Sequence, residues 1–145
     1  MSIWKSSQTL EELNERAHNT MGQHLEMLFT ELGSDYLKMK MPVIAKTKQP
    51  MGLLHGGATA ALAETIGSVC AVMCVDTEKE SIVGLELNIN HIRAIKEGFV
   101  IATCMPHHVG RTTHVWNIEI RDEKDRMVSV ARLTTMVIKK QSSQT

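Results

Sequence analysis

The sequence predicts an α+β domain in which an antiparallel sheet wraps around one hydrophobic helix. Two patterns carry that prediction. Ala58 to about Val75 is a single apolar stretch with helical spacing, and the apolar stretches after it alternate with period two. A lone hydrophobic helix set among such strands can bury its surface only if the sheet covers it. The length of 145 residues suits one domain, and 43% hydrophobic against 22% charged residues suits a folded globular chain.

Each element has its own reason. Thr9, Leu10, Glu11 and Glu12 fit a capping box, which opens a short helix from about Leu10 to Ala17. Leu25 to Leu32 and Tyr36 to Val43 flank the turn-formers Gly33, Ser34 and Asp35. Leu37, Met39 and Met41 alternate with Lys38 and Lys40, so this is a hairpin with one solvated face. Ile44 to Leu54, aperiodic and carrying Lys46, Lys48 and Pro50, reads as a loop delivering His55, Gly56 and Gly57 to the main helix. Along that helix Leu62, Ile66, Val69 and Met73 form a bulky stripe. Ala60, Glu64, Gly67, Ser68 and Ala71 form a trough of small side chains around one carboxylate. Strands at Ile82 to His91, Phe99 to His108, Thr113 to Arg121 and Met127 to Ile138 then make an antiparallel meander. The domain is expected to span residues 1–138, with the polar run 139–145 a disordered tail.

Composition excludes several functions. Sixteen Lys plus Arg balance sixteen Asp plus Glu, so no global field recruits nucleic acid or an anionic membrane. Two Trp, two Phe and one Tyr are too few for the stacking platforms of single-strand binders. Cys70, Cys74 and Cys104 are odd in number and lack CxxC spacing, which argues against a disulfide framework or a zinc knuckle. His107 and His108 are adjacent on a strand and should face opposite ways, so no metal site is expected. Met1 to Leu10 has no apolar run, hence no signal or transit peptide, and a cytoplasmic location is expected. Ala58 to Val75 contains Glu64 and barely reaches the length of a membrane span, so a buried helix is the better reading.

The chemistry concentrates around Glu64. A carboxylate in an otherwise apolar helix loses hydration and needs compensation, yet no Lys or Arg lies within a turn. The helix begins at a Gly-Gly pair, whose free amides can stabilise a developing negative charge that no side chain keeps at a distance. Glu64 follows Gly56 by roughly 12 Å of helical rise. That gap suits an extended reacting group if the glycine loop folds back or a second subunit contributes one of the elements. The plainer alternatives are a helix-packing Ser68, a surface-loop Gln49, a structural cap at His55, and solvated cations at Arg93 and Arg111.

Four segments carry a resemblance. Leu53-Leu54-His55-Gly56-Gly57, Ala63-Glu64-Thr65-Ile66-Gly67-Ser68, Gly84-Leu85-Glu86-Leu87-Asn88-Ile89-Asn90-His91 and Val109-Gly110-Arg111-Thr112 resemble the hot-dog-fold acyl-CoA thioesterases over nearly the whole chain, from about Trp4 to Ile138. The resemblance narrows to the bacterial branch that contains the 1,4-dihydroxy-2-naphthoyl-CoA thioesterase of the menaquinone pathway and the enterobactin proofreading thioesterase, and Thr47-Lys48-Gln49-Pro50 and Gly52-Leu53-Leu54-His55 bring it nearest the former.

The resemblance implies a hot-dog fold and a homodimer with sites at the interface, often paired into a tetramer. It implies an acyl-CoA substrate and no separate cofactor, since CoA is part of the substrate. Glu64 would attack the thioester carbonyl or activate water, and Gly56 N–H would bind the developing oxyanion. Gln49 and His55 would orient or polarise the carbonyl, and Ser68 would hold the hydrolytic water. Gly84, His91, Ile92, Arg93 and Ala94 would line the pantetheine and nucleotide path, and His108, Val109, Gly110, Arg111, Thr112 and Thr113 would form the CoA-contacting turn. A medium- or long-chain acyl-CoA or acyl-carrier-protein thioesterase is the nearest alternative. A non-catalytic acyl-CoA-binding module is a second, and a hydratase is disfavoured because no Asp and His pair is evident around His55.

Overall fold

The computed structural model describes residues 1–141. The chain runs α1 (Leu10–Glu15), α2 (Met21–His24), β1 (Leu28–Leu32), β2 (Leu37–Pro42), a 3₁₀ turn (Ala45–Thr47), α3 (Gly56–Met73), β3 (Glu80–His91), β4 (Phe99–Val109), β5 (Thr113–Asp122) and β6 (Met127–Lys139). The capping box forms: Thr9 Oγ1 accepts from Glu12 N–H at 3.2 Å, and the Glu12 carboxylate accepts from Thr9 N–H at 2.8 Å. α1 ends at Glu15, two residues earlier than its sequence suggests. α2 and the 3₁₀ turn have no counterpart in the sequence pattern, because one turn of helix is too short to show a period.

The six strands form one antiparallel sheet in the order β1-β2-β4-β5-β6-β3, and α3 lies against it. The meander expected of the last four strands is therefore confined to β4, β5 and β6. β3 pairs with β6, and β2 takes the place beside β4. The chain crosses the sheet once through α3 and again after β3, which leaves β3 as an edge strand. Alternation fixes which side chains face the helix. Leu37, Met39, Met41, Val100, Ala102, Cys104, Trp116, Ile118, Ile120 and Leu133 are fully buried, as are Leu62, Ala63, Ile66 and Cys70 of α3. Truncating one such leucine to alanine costs about 2–5 kcal/mol.

Three expectations about facing side chains change. Gly67 and Ala71 are buried, and a Cβ on Gly67 would lie 2.5 Å from Leu133 Cδ2, so these small residues let the helix approach β6. Val69 is only half-buried. The trough reduces to Ala60, Glu64 and Ser68, and the buried set shifts around the helix by about one position. In β3 the register slips between Gly84 and Glu86, leaving Leu85 without a partner and 54% exposed, so the Leu85, Leu87, Ile89 alternation breaks at its first member.

At the C-terminus β6 continues through Lys139, and Lys140 N–H donates to Lys79 O at 2.8 Å. The sheet thus extends past the expected boundary at residue 138. The rest of the expected tail, 142–145, lies outside the described residues. α3 has the length and a mean hydropathy of 1.3 that a membrane span would need, but its apolar face is spent on the sheet. The three cysteines are buried. Burial pushes the Cys74 thiol up to about 11, and burial beside Cys104 drives the Cys70 thiol well above its ordinary value.

Candidate active site

The loop before α3 is closed by its own hydrogen bonds. Thr47 is fully buried, and its hydroxyl donates to Pro42 O at 2.8 Å while accepting from Ile44 N–H at 3.0 Å. His55 N–H then donates to Thr47 O at 2.8 Å, Gln49 N–H to Leu53 O at 2.8 Å, and Leu54 N–H to Ile95 O at 2.7 Å. These bonds fix where the helix starts. His55 is the N-cap: its Nδ1 accepts from Gly57 N–H at 2.7 Å, which puts the ring proton on Nε2, free to donate outward. Among the described residues no group accepts from Gly56 N–H. Gly56 lines a pocket of about 300 Å³ with Gln49, Leu54, His91, Arg93 and Ser129. The Gln49 side-chain oxygen accepts from Met51 N–H, leaving its amide donors unspent among the described residues.

His91, at the end of β3, closes over Gly56. A Cβ on Gly56 would lie 2.8 Å from His91 Nε2, and His91 Nδ1 lies 3.0 Å from Ser129 Oγ, which holds the ring in place. Ile92, Arg93 and Ala94 follow along the same pocket, with Ile92 and Arg93 N–H both bonded to Val128 O. Glycine at position 56 thus leaves room for the imidazole that any Cβ would crowd.

Glu64 sits in a second cluster. It is half-buried, its Oε1 accepts from Ser68 Oγ at 3.1 Å, and its carboxylate rests against Gly84 of β3, where a Cβ would lie 2.8 Å from Oε1. Glu64 and Ser68 are absent from the pocket lined by Gly56, as the roughly 12 Å of helix between them requires. One chain therefore presents two separate clusters at opposite stretches of β3.

The turn from His108 to Thr113 is tied by Gly110 N–H to Thr113 O at 3.0 Å and by Val137 N–H to Thr112 O at 2.9 Å. Gly110 has no room for a Cβ beside His108, and Arg111 is exposed. This turn stands at the β3 N-terminal end of the sheet, since Thr113 and Val83 both register on Met136. His91 registers on Ser129 at the other end. Arg93 and Arg111 of one chain are consequently separated by the length of the strand. His107 occupies a bulge between Pro106 and His108, so the strict alternation expected of that pair does not hold. Among the described residues no three His, Cys, Asp or Glu side chains gather as metal ligands would.

Sequence reasoning assigned no role to Thr47 or Ser129. Ser129 left one readable trace, a hydroxyl interrupting the apolar face of the last strand. Its partner His91 lies far off in sequence, so only strand pairing reveals the contact.

Comparison with known proteins returns one consistent picture. The profile of the thioesterase superfamily matches residues 51–129. A 1,4-dihydroxy-2-naphthoyl-CoA hydrolase of Escherichia coli (strain K12) is 48% identical over 136 residues, covering 94% of this chain and 99% of that protein. A thioesterase crystal structure from Haemophilus influenzae superposes with a TM-score of 0.94 at 40% identity, covering 99% of both chains. A mutant thioesterase from Pseudomonas aeruginosa superposes equally well, with a TM-score of 0.94 at 41% identity over 96% of this chain and all of that one.

Proposed function

The chain belongs to the thioesterase superfamily and is a thioester hydrolase of hot-dog fold, and on that premise we propose that it hydrolyses an aryl-CoA, of the 1,4-dihydroxy-2-naphthoyl-CoA type, to the free acid and CoA. The observation that carries this reading is a Gly56 N–H, unpaired among the described residues, at the N-terminus of the same helix that carries Glu64. Negative charge that develops on the thioester oxygen meets a preoriented amide at the positive end of α3. The 48% identity to a named naphthoyl-CoA hydrolase supports the aromatic acyl group, and a menaquinone pathway and a cytoplasmic location go with it.

In the proposed reaction the carbonyl oxygen binds at Gly56 N–H, with Gln49 and the His55 Nε2–H as further donors. Glu64 either takes a proton from water as that water attacks the carbonyl carbon, or attacks it directly to form an anhydride that water then opens. In both routes the C–S bond breaks, the thiolate leaves as CoA and receives a proton, and Ser68 steadies Glu64 or the water beside it. In single-turnover hydrolysis in ¹⁸O-water, label in Glu64 identifies the anhydride route, with water opening the anhydride at the Glu64 carbonyl.

We place the complete site between two copies. An edge strand pairing antiparallel with its own copy would set the Glu64, Gly84 and Arg111 end of one protomer beside the Gly56, His91 and Arg93 end of the other. Both half-sites and both cationic ends would then meet one CoA. The long exposed β3 edge supports this, and the exposed Val83, Leu85, Met105, Val109, Met136 and Ile138 give further apolar surface for a dimer of dimers. Co-assembled Glu64→Ala and Gln49→Ala chains should then recover activity that neither variant has alone.

The deciding experiment traps thiol released from a panel of aromatic and aliphatic acyl-CoAs and acyl-carrier proteins. The proposal expects the highest kcat/KM on aryl-CoA and near-complete loss in Glu64→Ala with folding and assembly intact. A Glu64→Ala protein that keeps most of its activity would overturn it, and preference for long acyl chains or a carrier protein would overturn the substrate.

A further inference from the structure

Among the described residues three buried side-chain atoms lack a hydrogen-bond partner, His114 Nδ1, Trp116 Nε1 and Thr135 Oγ1, and they share one patch of the core. His114 and Trp116 lie on the same face of β5, with their rings edge to face at a centroid distance of 6.1 Å. Thr135 of β6 is the register partner of His114 on one side and of Gly84 on the other. Gly84, Thr135 and His114 therefore form one row across β3, β6 and β5 on the side that faces α3. At its β3 end the Glu64 carboxylate rests on Gly84.

Thr135 is fully buried and His114 is 1% exposed, and polar groups at that depth are normally bonded to something. Opposed Cβ atoms of an antiparallel pair stand about 4.5–5.5 Å apart, a gap that one water bonded on both sides bridges. The donors and acceptors in the row fit such a water. Burial lowers the His114 pKa and keeps the ring neutral, and the Gly110 carbonyl beside it favours the proton on Nε2, so Nδ1 offers a lone pair. Glu64 Oε2 has no partner among the described residues, because the bond from Ser68 is to Oε1. One water would accept from the Thr135 hydroxyl and donate to His114 Nδ1 and Glu64 Oε2, the three bonds usual for an internal water.

We infer that Thr135 and His114 are positioning residues that hold an internal water against Glu64 Oε2. The carboxylate is then fixed through both oxygens, by Ser68 on one and by this water on the other. Gly84, lacking a side chain, lets the carboxylate reach the row. The inference rests on the thioesterase reading and adds to it what holds the attacking carboxylate from the sheet side.

The test uses Thr135→Val, which removes the hydroxyl at nearly constant shape, Thr135→Ser, which keeps it, and His114→Leu, with thiol release from benzoyl-CoA and 1,4-dihydroxy-2-naphthoyl-CoA. Thr135→Val should lower kcat about tenfold or more, the scale of one hydrogen bond to a charged group, with KM and Tm close to wild type. Thr135→Ser should restore kcat. Adding His114→Leu to Thr135→Val should cost little beyond the larger single loss, because both act through one water. If the hydroxyl bonds nothing, Thr135→Val raises Tm and leaves kcat unchanged. That result, or additive losses in the double variant, overturns the inference. A crystal structure of wild type should show an ordered water within hydrogen-bond distance of Thr135 Oγ1, His114 Nδ1 and Glu64 Oε2, and a site without that water overturns the inference whatever the activity. Absence of hydrolysis by wild type would instead defeat the thioesterase reading.

Discussion

Replacing Gly84 by alanine should weaken catalysis while leaving stability equal or improved, and that opposition of sign makes it the sharpest prediction. The new Cβ would start 2.8 Å from Glu64 Oε1, whereas ordinary C···O contacts begin at about 3.3–3.6 Å. The carboxylate must retreat by about half an ångström or more, straining its 3.1 Å bond from Ser68. A misplacement of about 1 Å can cost about 100-fold in rate, so a loss of about 10- to 100-fold in kcat is expected. Gly84 is not in the left-handed region, so alanine brings no backbone strain. Removing a strand glycine contributes about 0.5–1 kcal/mol, or a rise of about 2–4 °C in Tm for a chain of this size. Thiol release, differential scanning calorimetry and size-exclusion chromatography on the same preparation read the three quantities. Wild-type kcat in Gly84→Ala would refute the placement of Glu64 against β3 as the working geometry. A joint fall in Tm and activity would assign the effect to folding.

Three further outcomes follow from the same geometry. Gly56→Ala keeps the amide but drives a methyl to within 2.8 Å of an imidazole held by Ser129, so the displacement should lower kcat about 100-fold, and pairing it with Ser129→Ala, which frees the ring, should return part of the loss in the thiol-release assay. Cys70, Cys74 and Cys104 should not react with a disulfide reagent in the native protein and should all react in denaturant, because burial raises the Cys70 and Cys74 thiols and hides all three. Asp122 accepts from Arg126 Nε at 2.8 Å and pairs with its Nη2 at 2.7 Å, which lowers its carboxyl from 3.8 to about 2. A depressed carboxyl stabilises the fold above its unfolded value and loses that contribution as pH falls from about 4 towards 2, so Asp122→Asn should flatten the urea midpoint across that window.

Local sequence pattern was enough to specify the long helix, the main strands and the chemically loaded residues. Period-two alternation in Leu37, Met39, Met41 and in Trp116, Ile118, Ile120 is local, and those side chains are buried as it required. The Thr9 and Glu12 cap is local as well. Gly56 and Glu64 stood out for the same kind of reason, a glycine pair at a helix start and a carboxylate with no cation within a turn. Tertiary structure alone decided what these residues touch. Alternation says which face a strand buries, not which strand lies beside it, so the removal of β3 from the meander to the edge beside β6 had no trace in the sequence. From that one pairing come the contacts of Gly84 with Glu64 and of His91 with Gly56 and Ser129, all far apart in the chain. The burial of Gly67 and Ala71 beside an open Glu64 and Ser68 was decided in the same way, because the angle at which a helix settles on a curved sheet depends on both surfaces at once.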